Sequence, residues 1–458
     1  MSNNNILPQF RVVEAIITSD ISDASIVVTN DLLELNLYES LDQLYLTGDA
    51  TFLDKHGFYS IIQFQGTERI NLTIQSGDSE HTTRVLKKTF IIDSVINRIK
   101  TTNGLSSTYV FHLIDEIGFL SRTKKISKSF SGSLETITKK IVQGELKRKV
   151  DISYSGAISG NQELSVQGNR SCIIPNMTIL EAIQWLSKRI TTKNGSPYFV
   201  YSTLKLDDKA TIEDDVEVDS SLIRIGNLDT MLSRKAFNKT PFIYNPNAKS
   251  QNDELAFDKM FVIKSLKFGS SSNTLRLLEI GSHSSDYSNT DLNTGEIQKT
   301  KYSLKQQLKK LSDESIINSS QNVHSSKFML KDEFIDTYSS KKYHTITSSG
   351  TQGNIKGYNE SGEGDSLRNR ISTFAIKNAL YKNSIEIVVE GIGVFISGTQ
   401  VGDIINVLII GDTDEDFSSD NFKDPKYTGD YLIWELKHKF RNNEHSVFMT
   451  LCKLEAEE

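Results

Sequence analysis

His438 and His445 stand on either side of Arg441-Asn-Asn-Glu444. A tight turn over those four residues would fold the flanking apolar runs into a hairpin and let the two imidazoles meet. Paired imidazoles bind zinc when further donors complete a tetrahedron. No other donor sits at ligand spacing, so the pair reads as structural. The remaining histidines, His56, His81, His112, His283, His324 and His344, are scattered. Asp412, Asp414 and Asp416 alternate as calcium ligands do, with Glu415 and Asp420 beside them. The mid-loop glycine and closing glutamate of a calcium-binding hand are missing. That loop, like Asp207-Asp208 and Glu213-Asp214-Asp215, reads as a solvated acidic turn. No nucleophile elbow, phosphate-binding Walker loop or His-Glu-x-x-His pair occurs. The residues therefore assign no catalytic, cofactor-binding or metal site, and the chain is expected not to be an enzyme.

Arg122, Lys124, Lys125 and Lys128 concentrate positive charge, but without the interleaved aromatics of a base-stacking platform. They read as a linker or partner-facing patch. The net charge is -6. Tight duplex binding draws most of its affinity from phosphate neutralisation and calls for a basic excess, so this balance speaks against it. Cys172 and Cys452 are far apart and make neither a disulfide framework nor a zinc spacing. Met1 to Pro8 lacks the basic and apolar parts of an export signal. Apolar runs such as Ile404 to Ile410 are strand-sized, well short of the ~18 residues of a membrane helix. The expectation is a protein made in the cytoplasm, without membrane insertion.

The elements that position these residues are mostly strands. Arg11 to Ser19, Ile26 to Val28 and Asp49 to Leu53 are short apolar runs, and Ile70, Leu72 and Ile74 alternate cleanly. Asn103-Gly104 between two β-branched runs is a hairpin signal. A helix follows Ser131-Gly-Ser133, with Leu134, Ile137, Ile141, Val142 and Leu146 on one stripe. A second helix opens at Thr178 with a capping box to Glu181, and carries Ile179, Ala182, Ile183, Leu186 and Ile190. Trp185 falls outside that stripe. Tyr198 to Leu204 is a strand. Phe261 to Phe268 and Asn273 to Ile280 also read as strands. Residues 282–364 are polar and read as extended or partly mobile connection, with a short helix at Lys305 to Leu311. Asp365 is a candidate cap for a last helix. Strands follow over 384–396 and 404–410, then the hairpin at Tyr431 to Leu454, where Trp434 faces the core.

The order of these segments carries a resemblance. Leu113-Ile-Asp-Glu-Ile-Gly-Phe-Leu-Ser-Arg122, then Ile126-Ser-Lys-Ser-Phe130-Ser-Gly132 and a helix, resembles the central baseplate hub proteins of T4-like contractile-tailed phages. So do Ile174-Pro175 through Trp185 and Ser196-Pro197-Tyr198-Phe199-Val200-Tyr201. The C-terminal part adds Val388-Val-Glu-Gly391, Gly398-Thr-Gln-Val401-Gly402-Asp403, Thr428-Gly429-Asp-Tyr431-Leu432-Ile433 and His438-Lys-Phe440. The likeness spans roughly residues 5–280 and 355–458, and it transfers no individual interface residue.

The resemblance implies a mainly β chain with two tube-protein-like antiparallel β-barrel domains, a small α/β insert and a polar connection. The expected division is a first β-barrel domain at 1–118 and an α/β insert at 119–252. The second β-domain would begin within 253–364, with its long polar connection, and be completed by 365–458. It further implies a homotrimer that closes a pseudo-hexameric ring by head-to-tail contacts. The implied partners are the central spike protein, the tail tube protein and other baseplate proteins, with DNA passing through the ring. The implied location is the virion tail baseplate, assembled in the host cytoplasm. No cofactor is implied. A hub or spike component of a related contractile injection system is the alternative, and a tail-associated cell-wall hydrolase a more distant one.

Overall fold

The computed structural model describes residues 10–76, 84–100, 106–132, 134–147, 150–154, 170–189, 191–192, 194–204, 221–238, 240–244, 261–269, 274–292, 295–313, 329–330, 332–334, 338–347, 363–382, 384–391, 394, 398–410, 423–424 and 427–453. Alternating apolar runs broken by polar turns give a first lobe. It comprises β1 (Phe10–Ser19), β2 (Ala24–Val27), β3 (Leu32–Ser40), β4 (Thr47–Asp54), helix α1 (Phe58–Ile62), β5 (Glu68–Ser76), β6 (Arg84–Lys100) and β7 (Ser107–Ile114). They pair antiparallel in the order β3-β4-β7-β6-β5-β1-β2. Ile70, Leu72 and Ile74 all face inward and are buried, as their period predicts. Phe52, Phe58, Phe64, Tyr109 and Phe111 form one aromatic cluster in this core.

Two buried carboxylates organise the turns. Asp54 accepts from the backbone N–H groups of His56, Gly57, Phe58 and Tyr59, and so starts α1. Glu68 accepts from Gln65, Gly66 and Thr67. The carboxylates are the buried partners, and such an acceptor left unmet inside a lobe costs ~1–3 kcal/mol or more, so the loops fold their N–H groups onto them.

The insert follows: α2 (Glu116–Thr123), β8 (Lys125–Gly132), α3 (Leu134–Ile141) running into a π-turn at Val142–Leu146, β9 (Val150–Tyr154), β10 (Arg170–Thr178), α4 (Ile179–Ser187), β11 (Tyr198–Leu204), β12 (Ser221–Asn227) and α5 (Leu228–Leu232). The Thr178 capping box is present in both directions, at 3.2 and 2.9 Å. Ile137, Ile141, Val142, Leu146, Ile179, Ala182, Ile183 and Leu186 share one core. Asp115 caps α2 by accepting from Ile117 and also pairs with Lys88 of β6 at 2.8 Å. Both charges are buried, so this pair pins the insert to the first lobe. Removing one partner of such a pair costs ~3–5 kcal/mol.

The remaining elements are β13 (Phe242–Tyr244), β14 (Ser265–Phe268), α6 (Thr274–Glu279), β15 (Ser284–Asp291), β16 (Ile297–Ser303), α7 (Leu304–Asp313), β17 (Met329–Leu330), β18 (Glu333–Phe334), β19 (Lys341–Thr347), α8 (Glu363–Lys382), β20 (Ile385–Glu390), β21 (Ile404–Ile409), β22 (Gly429–Arg441) and β23 (Glu444–Cys452). The second lobe follows the path β14-β20-β23-β22-β21-β13. Ile243 N–H donates to Phe261 O and Ile263 N–H to Ile243 O, both at 2.8 Å. Residues 261–263 lead directly into β14, so the backbone pairing returns to its own start. Ala375, Ile376 and Leu380 of α8 cover this core. The chain is thus mainly antiparallel β with an α/β insert, and both lobes belong to a 13-stranded sheet.

Several expectations fail in the middle of the chain. Residues 274–279 form helix α6, not a strand. Leu275, Leu277 and Leu278 are a short apolar run whose period does not separate the two states. The polar stretch after 282 contains an ordered three-stranded sheet, β16-β15-β19, with α7 directly after β16 and before β19. Its buried face rests on Tyr287 and Tyr302 amid Ser, Thr and Lys, too few apolar residues to show a period. The strand expected over 384–396 stops at Glu390, and the last helix begins before Asp365, at Glu363.

Candidate functional site at the junction of the lobes

The two lobes meet where β22 pairs antiparallel with β3, from Glu435↔Ser40 to Arg441↔Glu34. Strand alternation then gives this seam two faces. Outward, Glu34 lies 3.3 Å from Lys439 and 3.4 Å from Arg441. Burial alone would raise the Glu34 pKa. Hydrogen bonds from Asn36 and Lys439 and the two cations overcome that and hold it below the usual carboxylate range. Tyr38 donates to Asp49 at 2.8 Å, and burial with that carboxylate pushes its hydroxyl pKa up. Inward, Leu35, Leu37, Glu39, Leu436, His438 and Phe440 are all buried.

Strand β11 is the keystone beside this seam. Every residue of it is buried. Tyr198 and Val200 enter the insert core, Phe199 and Tyr201 the second-lobe core, and Leu204 the first-lobe core. Ser202 N–H donates to Gln43 O at 3.3 Å, and Gln400 Nε2 donates to Leu204 O at 2.8 Å. A Cβ on Gly402, which has φ +90, would lie 2.6 Å from the Tyr201 hydroxyl, so this close approach requires glycine. Trp434 packs edge-on against Phe199 at 5.5 Å and Tyr381 at 5.7 Å, with Lys377 over the Phe199 ring at 4.6 Å. Glu435 stands behind it. Burial, with Asp42 and Glu386 nearby, raises its pKa against the lowering effect of a hydrogen bond from Thr450.

The residues singled out from sequence fall as follows. His438 and His445 do meet, inside the seam, with Nδ1 and Nε2 3.2 Å apart. Among the described residues no three His, Cys, Asp or Glu side chains gather as a metal-ligand set. The acidic runs at 207–215 and 412–420, and Asn103-Gly104, lie outside the described residues. Lys124 and Lys128 of the basic stretch both pair with Glu145, and those hydrogen bonds keep its carboxyl pKa low. Arg122 sits over Tyr45 at 5.6 Å. Trp185 is half-buried against the insert core under the Arg189 guanidinium, and Trp434 is core. Both cysteines are buried, and burial pushes the Cys172 thiol up to about 11, which leaves it protonated and inert. Glu39 went unnoticed in the sequence. Its signal was parity, because Leu35, Leu37 and Glu39 point to one side of one strand.

Free strand edges complete the picture. Among the described residues β2 pairs only with β1, while β16 and β19 each pair only with β15. Val27, Ile297 and Ile346 on these strands are 66%, 59% and 62% exposed. No helix among the described residues is long and apolar enough to cross a membrane.

No protein-family model matches the chain, and no curated protein matches it. Among solved structures it aligns with a tail protein from Neisseria meningitidis MC58 over 96% of both chains, at 9% identity and TM-score 0.49. A 43 kDa tail protein of prophage MuSo2 from Shewanella oneidensis aligns over 96% of this chain and 98% of its own, at 11% identity and TM-score 0.46. An Escherichia coli type VI secretion component, described as similar to the phage tail proteins gp27 and gp5, aligns over 97% of this chain and 76% of its own, at 9% identity and TM-score 0.40.

Proposed function

We propose that this chain is a structural baseplate-hub subunit of a contractile phage tail, and that three copies close a pseudo-hexameric ring. The ring would join the sixfold tail tube to the threefold central spike and surround the DNA channel. Its partners would be the spike, the tube, other baseplate proteins and its own copies, within the virion tail baseplate. The proposed division assigns 1–118 to the first ring lobe, 119–252 to the insert apart from β13, which pairs with β21 in the second lobe, and 365–458 with part of 253–364 to the second lobe.

One observation carries the reading: the β3–β22 pairing sets two sheet-built lobes side by side in one polypeptide. Three such chains supply six lobes, which is what an adaptor between sixfold and threefold symmetry needs. The free edges of β2, β16 and β19, with exposed Val27, Ile297 and Ile346, support joints made by strand addition. The reading gives the chain no catalytic turnover and no cofactor. Native mass spectrometry of the purified chain, alone and mixed with its spike protein, tests it. The expected species is a trimer. A chain that stays monomeric in both samples overturns it.

A further inference from the structure

Beneath the seam, three polar side chains cross an otherwise apolar layer. Glu39 of β3, His438 of β22 and His445 of β23 are 3%, 3% and 0% exposed. The pairings Leu37↔His438, Glu39↔Leu436 and Phe440↔His445 put all three on one face. His438 Nδ1 is 3.2 Å from His445 Nε2, and His438 Nε2 is 3.4 Å from Glu39 Oε1. The string therefore runs from the first lobe, through the joining strand, into the second.

Groups from four elements face the imidazoles. Phe10 of β1 lies 6.5 Å from His445 between ring centroids, and Phe440 of β22 stacks on it at 4.2 Å. Gly391, just past β20, sits so close that a Cβ there would lie 2.2 Å from the ring. Glu39 of β3 brings a carboxylate to His438 Nε2. Two protonated imidazoles side by side in such a layer would repel each other, and burial denies both the solvation that a charge needs. With both rings protonated, two N–H donors would also face each other across the 3.2 Å gap.

We propose that Glu39, His438 and His445 form an acid-sensitive latch that holds the first lobe to the second at neutral pH and loosens the seam in acid. The direction follows from proton linkage. Burial, and then the neighbouring His438, hold the His445 imidazole well below its usual range. An opened seam exposes a histidine of ordinary basicity, near pKa ~6.5. Below that pH the open form binds a proton that the closed form refuses, so the latch contributes fully above ~6.5 and weakens as pH falls beneath it. The latch is independent of whether the chain forms a ring.

Hydrogen exchange on the intact chain reads the seam directly. Peptides covering 35–39 and 436–440 report it, and peptides covering 90–95 and 108–113 report the first-lobe interior. Between about pH 7.5 and about pH 5, after correction for intrinsic rates, seam opening is expected to rise tenfold or more, and interior opening less than twofold. His445→Gln, which cannot titrate, is expected to abolish the rise. If that variant fails to fold, the regional contrast in the unaltered chain still decides. An acid response equal in seam and interior, or one that survives His445→Gln, overturns the latch.

Discussion

The two lobes build their sheets by opposite routes. The first is assembled from one stretch of chain, and most of its strands pair with near neighbours in sequence. The second takes β13 and β14 from before the polar middle of the chain and β20 to β23 from after it. Its pairings Phe242↔Val407 and Leu266↔Ile387 join distant parts of the polypeptide. Their ends are tied down differently as well. The second lobe closes through backbone hydrogen bonds at Ile243. In the first, Phe10 at the start of β1 meets Phe440 of the joining strand edge-on at 5.0 Å. Non-local pairing is slow because loop closure must precede its reward. The first lobe can therefore form early, while the second, and with it the seam, waits for β22 and β23 at the end of the chain.

The largest expected effects come from the two cores. Phe111→Ala removes the centre of the first-lobe aromatic cluster and should cost about 4 kcal/mol in urea unfolding. Trp434→Ala should cost a similar amount in the second. Exchange should separate them: Phe111→Ala loosens 47–54 and 107–114, whereas Trp434→Ala loosens 404–409, 447–451 and, through Phe199, β11. Equal loosening everywhere in both variants would erase the distinction between the lobes.

Closure is the next contrast. Ile243→Pro deletes the N–H that donates to Phe261 O and should cost about 2 kcal/mol. Phe10→Leu keeps apolar volume and loses the aromatic pairing, for about 1 kcal/mol. Thermal unfolding of both checks the order, and the reverse order would mean that the backbone closure matters less than the side-chain contact. The smallest effect belongs to the outer face of the seam. Arg441 is half-exposed beside Glu34, so Arg441→Ala should change stability by no more than about 0.5 kcal/mol. A larger loss would place the strength of the seam on its solvent face instead of its buried one.

Much of the first lobe was legible because a half-buried antiparallel strand alternates, as Ile70, Leu72 and Ile74 do. The last hairpin was equally plain, with Asn442 and Asn443 both in the left-handed region that its turn needs. The seam was not legible. Leu35, Leu37, Leu436 and Phe440 announce inward faces but not which strand lies beside which. Strand β11 was legible as a strand, but nothing local in Tyr198 to Leu204 says that it is covered on both sides or that three cores share it. The β15–β16–β19 sheet escaped because two tyrosines carry its buried face. The meeting of His438 with His445 followed from hairpin geometry, whereas their contact with Glu39 depends on a strand pairing between lobes.

Electron-microscope class averages of the assembled protein, viewed down its symmetry axis, show whether three chains close the proposed ring. A closed annulus of six densities, alternating between two kinds around a threefold axis, is the predicted image. Three densities per ring, or open chains of subunits, would contradict it.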